Sequence, residues 1–272
     1  MSKQFVTIDG SRMAYIEEGH GFPLVLGHSY LWDAEMWRPQ INQLSRHFRV
    51  LVPELWGHGD SEAPPERTCD LNRVTRQHLA FLDALSVDRC HLVGLSVGGM
   101  WGAQLAIENP ERIDRLVLMD TYLGAEPPDT RDYYFKLLDA VAEAGQFTED
   151  LRNIIVPMFF HPTQPTVPEI REQFHQALSN MNCATIRDSL LPLGKLIFGR
   201  PDLLERLSQL PADRTIILVG DQDRPRPPAE ANEMARWINC LAAQIPVSGH
   251  ISNLENPQVV TDLLLNWLPR HY

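Results

Sequence analysis

The chain has 272 residues, of which 44% are hydrophobic and 22% are charged. This composition is that of a globular protein, and it excludes an intrinsically disordered chain, a coiled coil and a collagen-like fibre. The 35 acidic and 24 basic residues leave a net charge of -11. Because phosphate backbones and anionic lipids repel such a chain, we expect neither nucleic acid nor a membrane surface among its partners.

The lack of a visible targeting signal and the spacing of the cysteines indicate the same cellular compartment. Residues 1–11 contain no apolar stretch like that of a signal peptide, and apolar runs such as 116–119 are too short to span a bilayer. The cysteines are widely spaced, form no CxxC pair and are expected to be free, buried thiols: Cys69, Cys90, Cys183 and Cys240. We therefore expect a cytoplasmic protein. The sequence does not indicate its oligomeric state.

Short runs of β-branched and aliphatic residues predict eight strands, at 5–8, 13–16, 24–26, 50–52, 91–95, 115–119, 215–219 and 241–247. The first strands have only tight connections, which favours an antiparallel edge. From residue 24 onward strands alternate with helical patterns, which is typical of a mostly parallel sheet with helices on both faces. The last helix is predicted to begin with Asn256 as its N-cap and Pro257 in its first turn.

The stretch 122–200 interrupts this alternation, because it contains helical patterns and no convincing strand. Apolar and aromatic residues recur at helical spacing in its first part, at Tyr134, Leu137, Leu138 and Val141. Helices inserted between two parallel strands would form a cap over the carboxyl ends of the strands, where such sheets bind ligands. We predict one α/β domain over 1–272 with a helical cap inserted at about 122–200.

The segment Gly94-Leu95-Ser96-Val97-Gly98 follows an apolar strand and precedes a helix. This is the G-x-S-x-G pattern in the strand–turn–helix setting of a nucleophile elbow. Such a turn holds the serine in a strained conformation that exposes its oxygen, and the two glycines allow close approach of strand and helix. Ser96 is the predicted nucleophile.

A serine nucleophile needs a general base and a carboxylate that orients the base. His250 follows Ser248-Gly249 just after the last strand, and we predict that it is the base. Asp223, at the end of the preceding strand, is the favoured acid. Asp221 and Asp120 are the alternatives, with a solvated loop and a turn as their structural interpretations.

The loop Gly27-His28-Ser29-Tyr30 follows the third strand and is predicted to supply part of an oxyanion hole. The expected donors are the backbone N–H groups of Tyr30 and of Val97, with Ser29 as the alternative to Tyr30. His28 and His58 are interpreted as structural residues that brace the loops beside the site.

An apolar pocket is expected above the nucleophile. The candidates outside the cap are Tyr30, Leu31, Trp32 and Trp101. Those from the cap are Tyr133, Tyr134, Met158, Phe159 and Phe160. The sequence contains neither a metal-ligand pattern such as H-E-x-x-H nor a G-x-G-x-x-G after a strand, so we expect no metal and no dinucleotide cofactor.

Taken together, the motifs resemble those of α/β-hydrolase-fold enzymes of the capped esterase and lactonase branch. They occur in the family's order, at 27–29, 55–61, 94–99, 220–223 and 250. The segments 94–100 and 250–255 are similar to those of 3-oxoadipate enol-lactonases. The chain departs from the usual pattern at Ser29, where a glycine is common, and at Val97, where a methionine is common.

The resemblance implies a hydrolase that cleaves a carboxylic ester, lactone or thioester of a small, largely apolar molecule through an acyl-enzyme, without a cofactor. C–C bond hydrolases and cofactor-free perhydrolases share the same fold and triad and are the alternative. A non-catalytic ligand-binding protein of this fold is a third possibility. Dehalogenases and epoxide hydrolases are disfavoured, because they carry aspartate at the position of Ser96.

Overall fold

The computed structural model describes residues 3–66, 70–163 and 167–269. Its strands are β1 (Gln4–Ile8), β2 (Ser11–Glu18), β3 (Pro23–Gly27), β4 (Arg49–Pro53), β5 (Cys90–Leu95), β6 (Ile113–Met119), β7 (Thr215–Gly220) and β8 (Leu241–Ile245). They form one sheet in the order β1-β2-β4-β3-β5-β6-β7-β8. Every predicted strand is present, and the predicted fold class is confirmed.

The helices lie between and after the strands. They are α1 (Arg38–Leu44), α2 (Leu71–Ala84), α3 (Val97–Glu108), α4 (Pro128–Ala144), α5 (Glu149–Ile155), α6 (Pro168–Ser179), α7 (Cys183–Thr185), α8 (Leu191–Gly199), α9 (Pro228–Ile238), α10 (Ser252–Glu255) and α11 (Pro257–Trp267). A π-helical stretch, Ile186–Leu190, joins α7 to α8. Within the described stretches, no helix combines the length and the apolar character needed to cross a membrane.

The sheet has an antiparallel edge and a parallel centre, as predicted. Strand β2 pairs antiparallel with both β1 and β4. From β4 through β3, β5, β6 and β7 to β8, every pairing is parallel. Strands β5 and β7 are buried at every residue, which requires cover on both faces of the sheet. The carboxyl ends of the parallel strands therefore share one edge, where the site is expected.

Two local expectations hold only in part. Asn256 is the N-cap residue of α11 and Pro257 begins the helix, as expected, but the Asn256 side chain makes no capping hydrogen bond. Its Nδ2 donates instead to the carbonyl oxygen of Pro246 at 3.0 Å. The local signal that starts the helix is therefore Pro257, whose fixed φ suits the first turn. The thiols also differ in exposure, because Cys90 is buried while Cys183 is exposed and Cys240 is half-buried. Cys69 lies outside the described residues.

Helices α4 to α8 lie in the connection between β6 and β7, where the sequence predicts an insertion. An aromatic cluster joins them to the body of the protein. The ring of Trp32 stacks on that of Phe174 in α6 with centroids 4.2 Å apart and an interplanar angle of 11°. Phe159 contacts both rings edge-on. These contacts hold the inserted helices against the loop that follows β3.

Candidate active site

Ser96 lies at the turn between β5 and α3. Its backbone has φ 56° and ψ -120°, a conformation that strains any residue with a side chain. Hydrogen bonds hold the main chain of Ser96 at both its N–H and its carbonyl oxygen. The Ser96 N–H donates to the carbonyl oxygen of Met119 at 2.9 Å. The Thr121 hydroxyl donates to the Ser96 carbonyl oxygen at 2.7 Å.

Glycines at the elbow permit close backbone contacts. A Cβ added to Gly94 would lie 2.3 Å from the carbonyl oxygen of Gly98. A Cβ added to Gly98 would lie 2.4 Å from the carbonyl oxygen of Gly27. No side chain fits at such distances, so both positions require glycine. Since Gly27 begins the loop predicted to form the oxyanion hole, the same contact seats that loop against the elbow.

The structure brings Ser96, His250 and Asp223 together. His250 Nε2 lies 3.0 Å from Ser96 Oγ, and His250 Nδ1 lies 2.9 Å from Asp223 Oδ2. With its proton on Nδ1, facing the carboxylate, the imidazole presents Nε2 as an acceptor to the hydroxyl. All three side chains are buried. The arrangement can therefore move a proton from the serine to the histidine out of bulk water.

A second carboxylate positions the loop that carries His250. Glu255 Oε2 accepts from the N–H of Gly249 at 2.6 Å, and its Oε1 accepts from the N–H of His161 at 2.8 Å. Glu255 is buried. It joins the histidine loop to the segment that follows α5. The sequence motif around His250 contains Glu255, but nothing in the sequence indicates its distant partner.

The two alternative acids have other contacts. Asp120 is fully buried, and it accepts from the Gly220 N–H at 2.7 Å and from the Ser252 hydroxyl at 2.6 Å. Burial, together with the charge of Asp223, holds the pKa of Asp120 well above its usual range. Asp221 accepts from the Ser248 N–H at 3.1 Å. Each braces a loop, whereas Asp223 is the carboxylate in contact with the imidazole.

Two buried histidines brace the loop after β3. His28 Nε2 accepts from the N–H of Leu55 at 2.9 Å, and His58 Nε2 accepts from the N–H of Leu31 at 3.1 Å. Their Nδ1 atoms face carbonyl oxygens, so both rings are neutral and carry the proton on Nδ1. Burial lowers the pKa of His28 well below its usual value and that of His58 to about 4.

The two residues expected to supply oxyanion donors, Val97 and Tyr30, belong to different elements near Ser96. Val97 is the first residue of α3, where a helix offers its N–H groups no acceptor of its own. The helix N-terminus also favours negative charge at this point. Tyr30 lines the cavity beside Ser96, and its hydroxyl donates to the carbonyl oxygen of Leu190 at 2.8 Å.

An apolar cavity extends from Ser96 and His250 into the inserted helices. Leu31, Tyr134 and Phe159 line it, as expected, and so does Met158. Its wall also contains residues that the sequence did not single out, among them Met100, Phe147, Ile155 and Phe198. Among the described residues of this wall, the charged or titratable side chains besides His250 are those of Tyr30, Tyr134 and Arg226.

Two expected pocket residues lie elsewhere. Trp101 is 1% exposed, stacks on His78 with ring centroids 3.9 Å apart and packs against Gly27. It fills the space beneath the elbow, while its neighbour Met100 faces the cavity. Trp32 is held by its stack on Phe174 and lines a separate groove on the other side of Leu31.

Two candidates from the inserted helices also point elsewhere. Tyr133 is 46% exposed, since it lies on the outer face of α4. Phe160 is buried against Trp32 and Phe174 and is absent from the cavity wall. Within the described ranges, no group of three or more histidine, cysteine, aspartate or glutamate side chains is arranged to hold a metal ion.

Comparison with known proteins extends over most of the chain. A 2-hydroxymuconate semialdehyde hydrolase from Pseudomonas sp. is 28% identical over 275 residues, covering 95% of this chain and 91% of the relative. A 3-oxoadipate enol-lactonase from Acinetobacter baylyi is 24% identical, covering 86% of this chain and 84% of the relative. The structure of a thermophilic esterase from Thermogutta terrifontis superposes with a TM-score of 0.84 at 26% identity, covering 98% of both chains.

The strained serine between strand and helix, the histidine and the aspartate occur here in the order expected from the sequence motifs. The sequence pattern of the alpha/beta hydrolase fold matches residues 20–257. The chain belongs to the α/β-hydrolase fold family.

Proposed function

We propose that the protein is a serine hydrolase that cleaves a carboxylic ester, lactone or thioester of a small substrate through an acyl-enzyme on Ser96. One observation carries this proposal. Hydrogen bonds of 2.9 and 3.0 Å connect Asp223 to His250 and His250 to Ser96, at the wall of an apolar cavity. Such a chain of contacts is the general arrangement of an activated serine nucleophile.

In the first half of the reaction, His250 Nε2 takes the proton of Ser96 while Ser96 Oγ attacks the substrate carbonyl. The carbonyl oxygen becomes an oxyanion, which the N–H groups of Val97 and Tyr30 stabilise. The intermediate then collapses, and the bond to the leaving alcohol breaks. His250 gives its proton to that alcohol, and Asp223 stabilises the transient imidazolium.

Water completes the cycle on the acyl-enzyme. His250 takes a proton from the water, whose oxygen attacks the acyl carbon and forms a second oxyanion. Collapse of this intermediate releases the carboxylic acid and returns the proton to Ser96. Helices α4 to α8 serve as the cap of this site. Their side chains supply most of the cavity wall and exclude bulk water from the intermediates.

The test is hydrolysis of 4-nitrophenyl acetate, butyrate and octanoate by the wild-type protein and by Ser96→Ala. We expect turnover by the wild type and a loss of at least about 10³-fold in kcat for the variant. Equal rates for the two proteins would contradict an acyl-enzyme on Ser96. The preferred chain length would measure the depth of the apolar cavity.

Two aspartates of one loop provide a matched comparison. Asp223→Asn removes the carboxylate that contacts His250, and we expect a large loss of kcat because the imidazole loses its orienting acceptor. Asp221→Asn changes a neighbouring carboxylate that instead accepts from Ser248. We expect it to retain most of the activity. Similar losses in both variants would indicate damage to the loop as a whole.

A C–C bond hydrolase is the second candidate. It is favoured by the relative named 2-hydroxymuconate semialdehyde hydrolase, which is 28% identical over 95% of this chain. In an esterase an oxygen atom leaves the tetrahedral intermediate, whereas in a C–C bond hydrolase a carbon atom leaves it. A decrease in the visible absorbance of a ring-cleavage dienol substrate, without turnover of any nitrophenyl ester, would favour the C–C bond hydrolase over the esterase.

A further inference from the structure

Three charged side chains are buried, and a fourth is partly exposed, where the inserted helices meet the loop that carries Asp223. Glu126 precedes α4 and Arg200 follows α8, so these two lie at the two ends of the insertion. Arg226 lies between Asp223 and α9, and Glu230 is in the first turn of α9. The side chains of Arg200, Glu126 and Arg226 are 1%, 2% and 4% exposed, respectively. Charges this deeply buried need partners or a function.

One carboxylate serves both arginines in this cluster. Glu126 Oε1 accepts from Arg200 Nη1 at 2.8 Å and also from Arg226 Nη2. Arg226 Nη1 lies 3.3 Å from Glu230 Oε2. Burial raises the pKa of Glu230 to about 7, against the opposing effect of Arg226. Glu230 is therefore partly protonated near neutral pH, and it neutralises the two arginines less than a fully ionised carboxylate would.

The two arginines differ in what they face. Arg226 lines the cavity that contains Ser96 and His250, whereas Arg200 is absent from that wall and lies over the ring of Tyr122. Of the five side-chain N–H groups of an arginine, the contacts with Glu126 and Glu230 use two. The backbone N–H of Arg226 donates to Asp223 Oδ1 at 2.9 Å, which fixes this residue beside the proposed acid.

Tyr134 lies on the same wall and gives Arg226 a neighbour that can also donate. Burial raises the pKa of Tyr134 to about 12, and the positive charge of Arg226 acts in the opposite direction. The phenol is therefore protonated at neutral pH. Its ring stacks on Phe198 with centroids 4.0 Å apart, which holds it in place. A guanidinium and a phenol thus form a polar patch in a wall that is otherwise mostly apolar.

We propose that Arg226, assisted by Tyr134, binds a carboxylate that the substrate carries in addition to the carbonyl group that is cleaved. This inference rests on the proposed function, and it specifies the substrate as an anionic ester, lactone or thioester. A guanidinium binds a carboxylate through charge-assisted, often bidentate, hydrogen bonds. The bound carboxylate would supply the negative charge that Glu126 and Glu230 provide only in part.

The test compares two esters that differ only in that charge. The probes are mono-4-nitrophenyl adipate and suberate, together with their neutral methyl 4-nitrophenyl counterparts. We expect wild-type kcat/KM to favour the anionic member of at least one pair by about 10- to 100-fold, as one charge-assisted contact typically provides. Arg226→Met should abolish this preference, mainly through a higher KM for the anionic ester.

Arg200→Met is the matched control. It loses a contact with the same Glu126 oxygen but lies outside the cavity wall, so the ratio of the two kcat/KM values should stay at the wild-type value. If Arg226→Met does not fold, Arg226→Met/Glu230→Gln removes both members of one ion pair, and the same loss of preference is expected. A wild type without preference, or equal changes in the Arg226 and Arg200 variants, would show that the cluster only clamps the insertion.

Ser96→Ala separates the two proposals. If this variant cleaves both esters as fast as the wild type, the proposed function is wrong and the inference fails with it. If Ser96→Ala is inactive while the wild type cleaves the neutral and anionic esters equally well, the proposed function stands and only the role of Arg226 is overturned.

Discussion

The hydroxyl of Tyr30 donates a hydrogen bond of 2.8 Å to the carbonyl oxygen of Leu190. Tyr30 belongs to the loop after β3, and Leu190 ends the π-helical stretch of the inserted helices. Both residues line the cavity. The position of the Tyr30 backbone, with the N–H that we propose as an oxyanion donor, therefore depends on a contact with the inserted helices. Helical irregularities of this kind are frequent at functional sites.

Tyr30→Phe tests this dependence, because it removes the hydroxyl and keeps the ring and the backbone N–H. The Leu190 carbonyl would lose this buried donor, and we expect a cost of about 1–3 kcal/mol. We also expect a lower kcat with little change in KM. Thermal unfolding and ester kinetics measure the two effects. Tyr133→Phe, at an exposed tyrosine, is the control, and identical kcat and Tm in both variants would contradict the prediction.

The backbone of Ser96 gives a second prediction. At φ 56° and ψ -120° a Cβ atom is strained, and glycine relieves the strain. Ser96→Gly and Ser96→Ala should both be inactive, but the glycine variant should be more stable by about 1 kcal/mol. This order is the reverse of the usual preference for alanine over glycine. Urea unfolding would measure the free energies of unfolding of the two variants. An alanine variant more stable than the glycine variant would mean that the backbone at residue 96 is not strained.

The buried His58 predicts a loss of stability in acid. Burial lowers its pKa to about 4, while the unfolded chain titrates near 6.5. Between these values the unfolded state binds a proton that the folded state lacks. The stabilisation is therefore complete above pH 6.5 and is lost as the pH falls towards 4. His58→Gln should lose less stability than the wild type between pH 7 and pH 4.5, as urea unfolding would measure.

His78 provides the comparison for His58. Burial lowers its pKa to about 4 as well, but its Nδ1 contacts the carbonyl oxygen of Val74 within α2. His58, in contrast, accepts from Leu31 beside Tyr30. Substitution of either histidine should reduce the acid sensitivity of stability. Only His58→Gln should also lower kcat at neutral pH, and an equal effect of His78→Gln on kcat would argue against a special role of His58.

Glu230 predicts the opposite pH dependence. Burial raises its pKa from 4.5 to about 7. Between these values the folded state holds a proton that the unfolded state has released, so stability is lost as the pH rises through this window. Glu230→Gln cannot ionise, and its stability relative to the wild type should rise between pH 5 and pH 8. Glu169→Gln, at an exposed position of α6, should show a constant difference from the wild type.

The strands and the order of the site motifs could be predicted because they depend on local patterns. Runs of apolar residues mark β5 and β7, and the elbow pattern around Ser96 includes the glycines that its contacts require. Chain order then indicated His250 and Asp223. These predictions needed no knowledge of which side chains of a helix face the sheet and which face the cavity.

The cavity wall could not be predicted in the same way. Met100 and Trp101 are adjacent in α3, but a helix turns by about 100° per residue. One therefore faces the cavity while the other packs beneath the elbow against Gly27 and His78. The contact between Glu126 and Arg226 was equally hidden, since it joins residues 100 positions apart in loops without a motif.

The carboxylate of Glu255 accepts one N–H from Gly249, beside His250, and one from His161, in the inserted segment. Glu255 thus joins the loop of the proposed base to the inserted segment, as does the N–H of Ile251, which donates to the carbonyl oxygen of Phe159 at 3.2 Å. If the inserted helices moved away from this side as a rigid body, they would displace the loop that carries His250. Ser96 would then lose its contact with His250. If the inserted helices move to admit substrate, an opening at α4 and α8 would leave the two contacts of Glu255 intact, since neither helix takes part in them.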